Sequence, residues 1–276
     1  MKTQAFNPFL PSYEYIPDAE PYVFGNRVYV YGSHDRFDGE DFCMNDYVCW
    51  SAPIDDLGAW KKDRVIYRSV QDPLNEDGTQ HLFAPDVQIG EDGRYYLFYC
   101  LHRSPTVSVA VCDEPAGEYQ FYGHIRYADG TLYGQKRGDV FNFDPGVLKD
   151  DDGRIYLYTG LSYLKDAPMR KYLAGMFQID GSYCVELDKD MLTLKSEPVL
   201  AVPGEVLSEG TDFEGHGFFE ASSPRKINGR YYMIYSSVKS HDLCYAVSES
   251  PVKGFRYGGI IVSIGDIGIV EEEQAV

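Results

Sequence analysis

The chain predicts an all-β fold, a β-propeller with about four blades, and three observations carry that prediction. First, a turn pair followed by a Tyr-rich run recurs as GNRVYVY (25–31), DGRYYLFY (92–99), DGRIYLY (152–158) and NGRYYMIY (228–235). The arginines Arg27, Arg94, Arg154 and Arg230 mark the repeat at intervals of 67, 60 and 76 residues. Second, 24 Tyr and 27 Gly in 276 residues favour strands joined by tight turns, because aromatics suit a pleated surface and Gly suits turns. Third, no segment has a convincing helical period. Repeats of this kind, each offering about four short strands, are the pattern of propeller blades.

The elements follow in order. Residues 22–35 read as two strands around a Gly-Asn turn, a favoured hairpin signal. A third strand is expected at YVCWSAP (47–53), then a turn whose Trp60 caps the sheet, and a fourth strand at KKDRVIY (61–67). The second blade opens at residues 81–100, continues at 107–115 and closes at 117–125. The third opens at 141–160 and continues through KYLAGMFQID (171–180). Its outer strand is expected at YCVELDK (183–189), with MLTLKSEPVL (191–200) competing for that place. The fourth comprises 218–237, 243–250 and 254–262. A catalytic domain over 1–269 would then hold blades at about 12–75, 82–130, 140–200 and 216–265, followed by an acidic tail at 270–276. Insertions near 61–82, 126–140 and 201–217 are expected to build binding walls.

Charge narrows the partners. With 25 basic against 43 acidic residues the net charge is −18, a field that repels nucleic acid and anionic membranes and suits a sugar or a cationic partner. The six cysteines, with no CxxC pair, read as reduced thiols acting as small hydrophobes. The segment MKTQAFNPFLP has no apolar signal core, so a cytoplasmic protein is the expectation. No His and carboxylate set has zinc spacing, and no catalytic metal is expected.

Upstream of each marker arginine lies an acid at nearly constant offset: Asp18 nine residues before, Asp86 eight, Asp144 ten and Glu220 ten. First strands of propeller blades line a central channel, so equivalent positions converge. Clustered carboxylates spread their pKa values apart, which glycoside hydrolysis requires: one carboxyl keeps a proton for the leaving group while another stays ionised to activate water. Glu220 follows Phe218-Phe219, an apolar setting for a general acid. Asp18, in the open IPDAEP, suits a general base, and Asp144, in FDPG, would orient the acid and hold its pKa up. Each motif alone also reads as an ordinary turn start.

Nearly the whole chain resembles glycoside hydrolase family 43, the five-bladed propellers acting on xylan and arabinan side chains. The resemblance rests on residues 7–35, on LFAPDV (82–87), on FDPGVLKDDDGRIYLY (143–158) and on residues 218–237. It implies Asp18 as general base, Asp144 as pKa modulator and orienter, and Glu220 as general acid in an inverting single displacement. At the first position Asp18-Ala19 replaces the family's Asp-Pro. The implied substrates are xylo- or arabino-oligosaccharides, with no required cofactor and room for a structural cation such as calcium in the channel. No region matches the family's fifth blade, so the expectation is a chain of about four blades lacking it. The alternative reading is a sugar-binding propeller without turnover.

Weaker candidates for substrate binding are Phe83 as a stacking platform, Asp86 as a partner for a sugar hydroxyl, and His34 at the end of the first hairpin. Each has a structural reading beside it, and for His34 a structural hydrogen bond is the safer one. His81 and His216 lie in inserted loops, and Asp46 in CMNDY is expected to be structural.

Overall fold

Each marker arginine lies at, or one residue before, the second strand of a four-stranded antiparallel meander. The turn ahead of it explains why. Asp92 accepts the Arg94 N–H at 3.1 Å and the Arg94 Nε at 2.7 Å, and Gly93 takes the left-handed φ of 81° that the turn demands. Asp152 repeats the pattern on Arg154 at 3.0 and 2.7 Å. In these two repeats the arginine closes the hairpin turn that its own aspartate opens.

The computed structural model describes residues 7–239 and 241–263. The chain divides into two units, Met1–His124 and Ile125–Val276. Unit one holds β1 (Glu20–Phe24), β2 (Arg27–Tyr31), β3 (Tyr47–Pro53) and β4 (Lys61–Tyr67) in one sheet. Its second sheet holds β5 (Leu82–Ile89), β6 (Tyr95–Leu101), β7 (Val107–Cys112) and β8 (Gln120–His124). Unit two holds β9 (Gly146–Lys149), β10 (Ile155–Ser162), β11 (Asp180–Leu187) and β12 (Val199–Pro203), then β13 (Phe218–Ile227), β14 (Arg230–Ser237), β15 (Leu243–Ser248) and β16 (Arg256–Val262). These are four propeller-type blades in an all-β chain, as the sequence predicts. Among the described residues α-helix is confined to α1 (Pro168–Leu173) and α2 (Glu205–Ser208). No helix among the described residues is long and apolar enough to cross a membrane. The acidic tail at 270–276 lies outside the described residues.

Tyrosine fills the cores because it joins a large apolar ring to a polar handle. In unit one Tyr31, Tyr47, Tyr67, Tyr99 and Tyr119 pack with Leu82, Leu97 and Ala110. Their hydroxyls are satisfied: Tyr31 donates to Pro115 O at 2.7 Å, Tyr47 to Phe83 O at 2.8 Å and Tyr99 to Asp72 at 2.7 Å. Leaving any one of these buried groups unpaired would cost about 1–3 kcal/mol. In unit two Tyr156, Tyr158, Tyr231, Met233 and Tyr235 join Leu148, Cys184 and Phe218. There Tyr158 donates to Pro251 O at 2.5 Å and Tyr235 to His216 O at 2.7 Å. The six cysteines are free, and all but the half-buried Cys112 are buried, which matches their reading as small hydrophobes.

The third blade departs from expectation. The run 171–180 does not form its strand, because Pro168 opens α1 and the Met-Arg-Lys-Tyr-Leu that follows is helix-compatible, with Arg170 and Lys171 in the last turn. Residues 183–187, rich in β-formers, instead take the third place as part of β11, and Val199–Pro203 forms the outer edge. The expected insertion at 61–82 also shrinks, since Lys61–Tyr67 is β4 and the residues after it contain two 3-10 turns, Ser69–Gln71 and Pro73–Asn75.

Candidate active site

A left-handed residue recurs where the inner strand of each blade begins. Asp18 (φ 54°), Ala84 (φ 32°), Asp144 (φ 46°) and Ala221 (φ 65°) hold this conformation, and the ladders of β5 and β13 shift register beside it. Aspartate tolerates the conformation, whereas alanine pays about 1–2 kcal/mol for it. Such twists re-aim a side chain off the regular pleat, so the offset acids share a backbone device as well as a spacing.

In unit one Asp18 is exposed and accepts a hydrogen bond from the buried Ser33 hydroxyl at 2.8 Å. Desolvation by the protein packed around the carboxyl pushes its pKa up, the Ser33 bond pulls it down, and the like charge of Asp35 adds an upward push. Asp35 is itself fixed, accepting the Cys43 N–H at 2.7 Å and donating its own N–H to Tyr15 O at 3.0 Å.

The secondary candidates of unit one separate. Asp86 is 1 % exposed, accepting the Tyr22 hydroxyl at 2.6 Å and the Val87 N–H at 2.8 Å. It is buried and bridges β1 and β5, which fits the structural one of the two readings its offset offers. His34 places Nδ1 2.9 Å from Asp46 O and Nε2 3.6 Å from Glu14, which also accepts Trp50 Nε1 at 3.1 Å and Lys62 at 2.9 Å. Both ring nitrogens of His34 face protein groups, which favours its structural reading. Asp46 caps the next segment, accepting the Ser69 N–H at 2.9 Å and Arg68 at 3.3 Å. Phe83 remains half-buried with its ring 5.4 Å from His102, a neighbour that sequence reasoning missed. Desolvation and Arg103 push the His102 pKa down.

In unit two Asp144 is 5 % exposed and accepts the Ala221 N–H at 3.1 Å. That bond ties the start of β9 to the peptide that follows Glu220. The approach is close enough to explain the glycine of FDPG: a Cβ on Gly146 would lie 2.0 Å from Ser222 O and 2.5 Å from Pro224 Cδ. Glu220 is half-buried. Beside it the Phe219 ring meets Tyr163 at 5.9 Å and His241 at 5.0 Å, both edge to face. Desolvation and the charge of Glu220 raise the Tyr163 pKa. Tyr163, one residue beyond β10, carried no signal in the sequence. His216 stacks on Tyr257 at 4.5 Å.

The structure thus brings Asp144 to the Glu220–Ala221 peptide in unit two and sets Asp18 on Ser33 in unit one. No group of three or more His, Cys, Asp or Glu among the described residues is placed to hold a metal ion. The structural cation implied by resemblance has no such ligand set among the described residues.

Comparison with known proteins covers nearly the whole chain. The family model for glycosyl hydrolases family 43 matches residues 7–253. A protein of Thermoclostridium stercorarium named xylosidase/arabinosidase is 58% identical over 98% of this chain and 54% of its own length. The chain therefore spans about half of that relative. A xylosidase/arabinosidase of Bacteroides ovatus is 31% identical over 95% of this chain and 82% of its own. Among solved structures, a Xanthomonas citri enzyme of subgroup GH43_1 in complex with xylose superposes with a TM-score of 0.69 at 25% identity, covering 91% of this chain and 74% of that one.

Proposed function

The chain belongs to glycosyl hydrolase family 43, and on that premise we propose that it releases xylose, arabinose or both from short xylo- or arabino-oligosaccharides. Relatives matched over most of this chain carry the name xylosidase/arabinosidase, which supports the choice of sugars. The observation that carries the mechanism is the bond from the Ala221 N–H to Asp144, because it anchors one carboxylate at the peptide next to another.

The reaction is a single displacement with inversion. Glu220 donates its proton to the glycosidic oxygen as the bond from that oxygen to the anomeric carbon breaks. Asp18 takes a proton from a water whose oxygen bonds to the same carbon on the opposite face. Such chemistry needs about 6.5–9.5 Å between the two carboxyls, room for that water. Asp144 orients Glu220 and, as a neighbouring negative charge, favours its protonated form. The apolar Phe219 beside Glu220 works in the same direction, since burial disfavours the charged carboxylate.

The test is hydrolysis of xylobiose and an α-1,5-arabinobiose by the wild type and by Glu220→Gln. The variant is expected to lose roughly 10²–10⁴ in kcat/KM. Equal rates for the two proteins would reject the assignment. Binding of xylobiose without turnover by the wild type would select the second reading, a sugar-binding propeller.

A further inference from the structure

Asp18 owes its hydrogen bond to a serine whose proton has been given a direction. Ser33 follows β2 by two residues and is 0 % exposed. Its oxygen lies 2.8 Å from the Ala84 nitrogen and 2.8 Å from Asp18 Oδ2. A hydroxyl owns one hydrogen and two lone pairs, whereas a backbone N–H can only donate. Ala84 must therefore be the donor and Ser33 Oγ the acceptor on that side. The serine hydrogen is left for the carboxylate, and burial keeps water from competing for it. The left-handed turn at Ala84, φ 32°, belongs to the inner-strand start from which this N–H is presented.

We propose that Ser33 is a positioning residue of the hydrolytic reaction, holding the Asp18 carboxylate oriented and ionised through a one-way relay that starts at the Ala84 N–H. The proposal rests on the reading of Asp18 as general base. A base works in its charged form, and a donor aimed at that form stabilises it. Here the donor opposes two influences of the other sign, desolvation of the carboxyl and the charge of Asp35. Elsewhere in unit one Glu14 and His34 face each other at 3.6 Å, and Asp86 on β5 accepts the Tyr22 hydroxyl.

The consequence is a defined pH signature. Without the hydroxyl the Asp18 pKa rises, so the base is protonated at a pH where the wild type still works, and the acidic limb of kcat/KM moves to higher pH. The experiment is the pH profile of kcat/KM on nitrophenyl β-xyloside for wild type, Ser33→Ala, Ser33→Thr and Asp18→Asn, with thermal melts to confirm folding. Ser33→Ala is expected to lose about tenfold on the plateau, equivalent to one lost charge-assisted bond, with its acidic limb displaced upward. Ser33→Thr, which restores a hydroxyl, is expected to return both towards the wild type. A folded Ser33→Ala with the wild-type limb overturns the proposal, as does equal impairment of the alanine and threonine variants. If Ser33→Ala does not fold, Ser33→Cys, close in size but a weak donor, decides by the same limb. Asp18→Asn separates the two levels. An inactive Asp18→Asn beside an unshifted Ser33→Ala overturns only the serine's role. An Asp18→Asn with the wild-type profile overturns the base assignment and this proposal with it.

Discussion

In unit one the Asp18 carboxyl is held by a side-chain hydroxyl, whereas in unit two Asp144 meets a backbone N–H and Glu220 stands beside a packed aromatic ring. All three lie at left-handed turns or next to one. The difference is in what surrounds the charge. A base needs a donor that keeps it ionised, and Ser33 supplies one at 2.8 Å. An acid needs the opposite, apolar shelter and a neighbouring negative charge, which the proposed mechanism assigns to Phe219 and Asp144. The same backbone device thus carries carboxylates into unlike environments, and in the proposed mechanism those environments sort them into roles.

The largest expected effects probe that sorting directly. Glu220→Gln should lose roughly 10²–10⁴ in kcat/KM on xylobiose and far less on a nitrophenyl xyloside, whose leaving group needs little protonation. Asp18→Asn should lose a similar factor on both substrates, because activation of water is needed for either. Steady-state rates on the two substrates check this, and matching losses on both for both variants would break the contrast.

Next comes the close approach that brings Asp144 to Ala221. Gly146→Ala places a Cβ 2.0 Å from Ser222 O, against a backbone that cannot swing aside. A loss of about 3 kcal/mol is expected in denaturant unfolding, with activity falling because the β9–β13 approach opens. An unchanged midpoint would mean that the two strands separate without cost.

A smaller effect sharpens the distinction between Asp86 and its offset partners. Tyr22→Phe removes the hydroxyl that Asp86 accepts at 2.6 Å in the core. It should cost about 1–3 kcal/mol of stability while leaving kcat/KM on a folded sample near wild type. A selective loss of kcat/KM would return Asp86 to the site.

The mildest expectation is an acid response in unit one that involves no catalytic group. Asp72 is 0 % exposed; desolvation raises its pKa, but bonds from His124 and Tyr99 outweigh that, and the net direction is down. A carboxylate depressed in the folded state contributes stability above its unfolded pKa and loses it as pH falls through the folded value. Asp72→Asn should therefore flatten the fall of melting temperature on the acid side. Parallel curves for the two proteins would assign acid unfolding to other carboxylates.

Much of this was legible in the chain. The Asp-Gly-Arg turns announce their hairpins because the signal is local: Asp92 and Arg94 touch each other within the turn. The constant offset of Asp18, Asp144 and Glu220 from their markers was likewise readable. Asp86 shows the limit, since its fate is set by Tyr22, 64 residues away. Ser33 was unreadable for the same reason, its direction being fixed by Ala84 at a separation of 51 residues. In the third blade the run 171–180 holds a single β-branched residue, Ile179, near its end, and Pro168 opens a helix that takes the first part of the run.

Single displacement by a separated acid and base, as proposed, is tested most directly by the anomer of the first-formed sugar. Proton NMR of wild-type protein with a β-xyloside, read before mutarotation, is expected to show α-xylose appearing first. First appearance of β-xylose would mean retention through a covalent intermediate and would contradict the account.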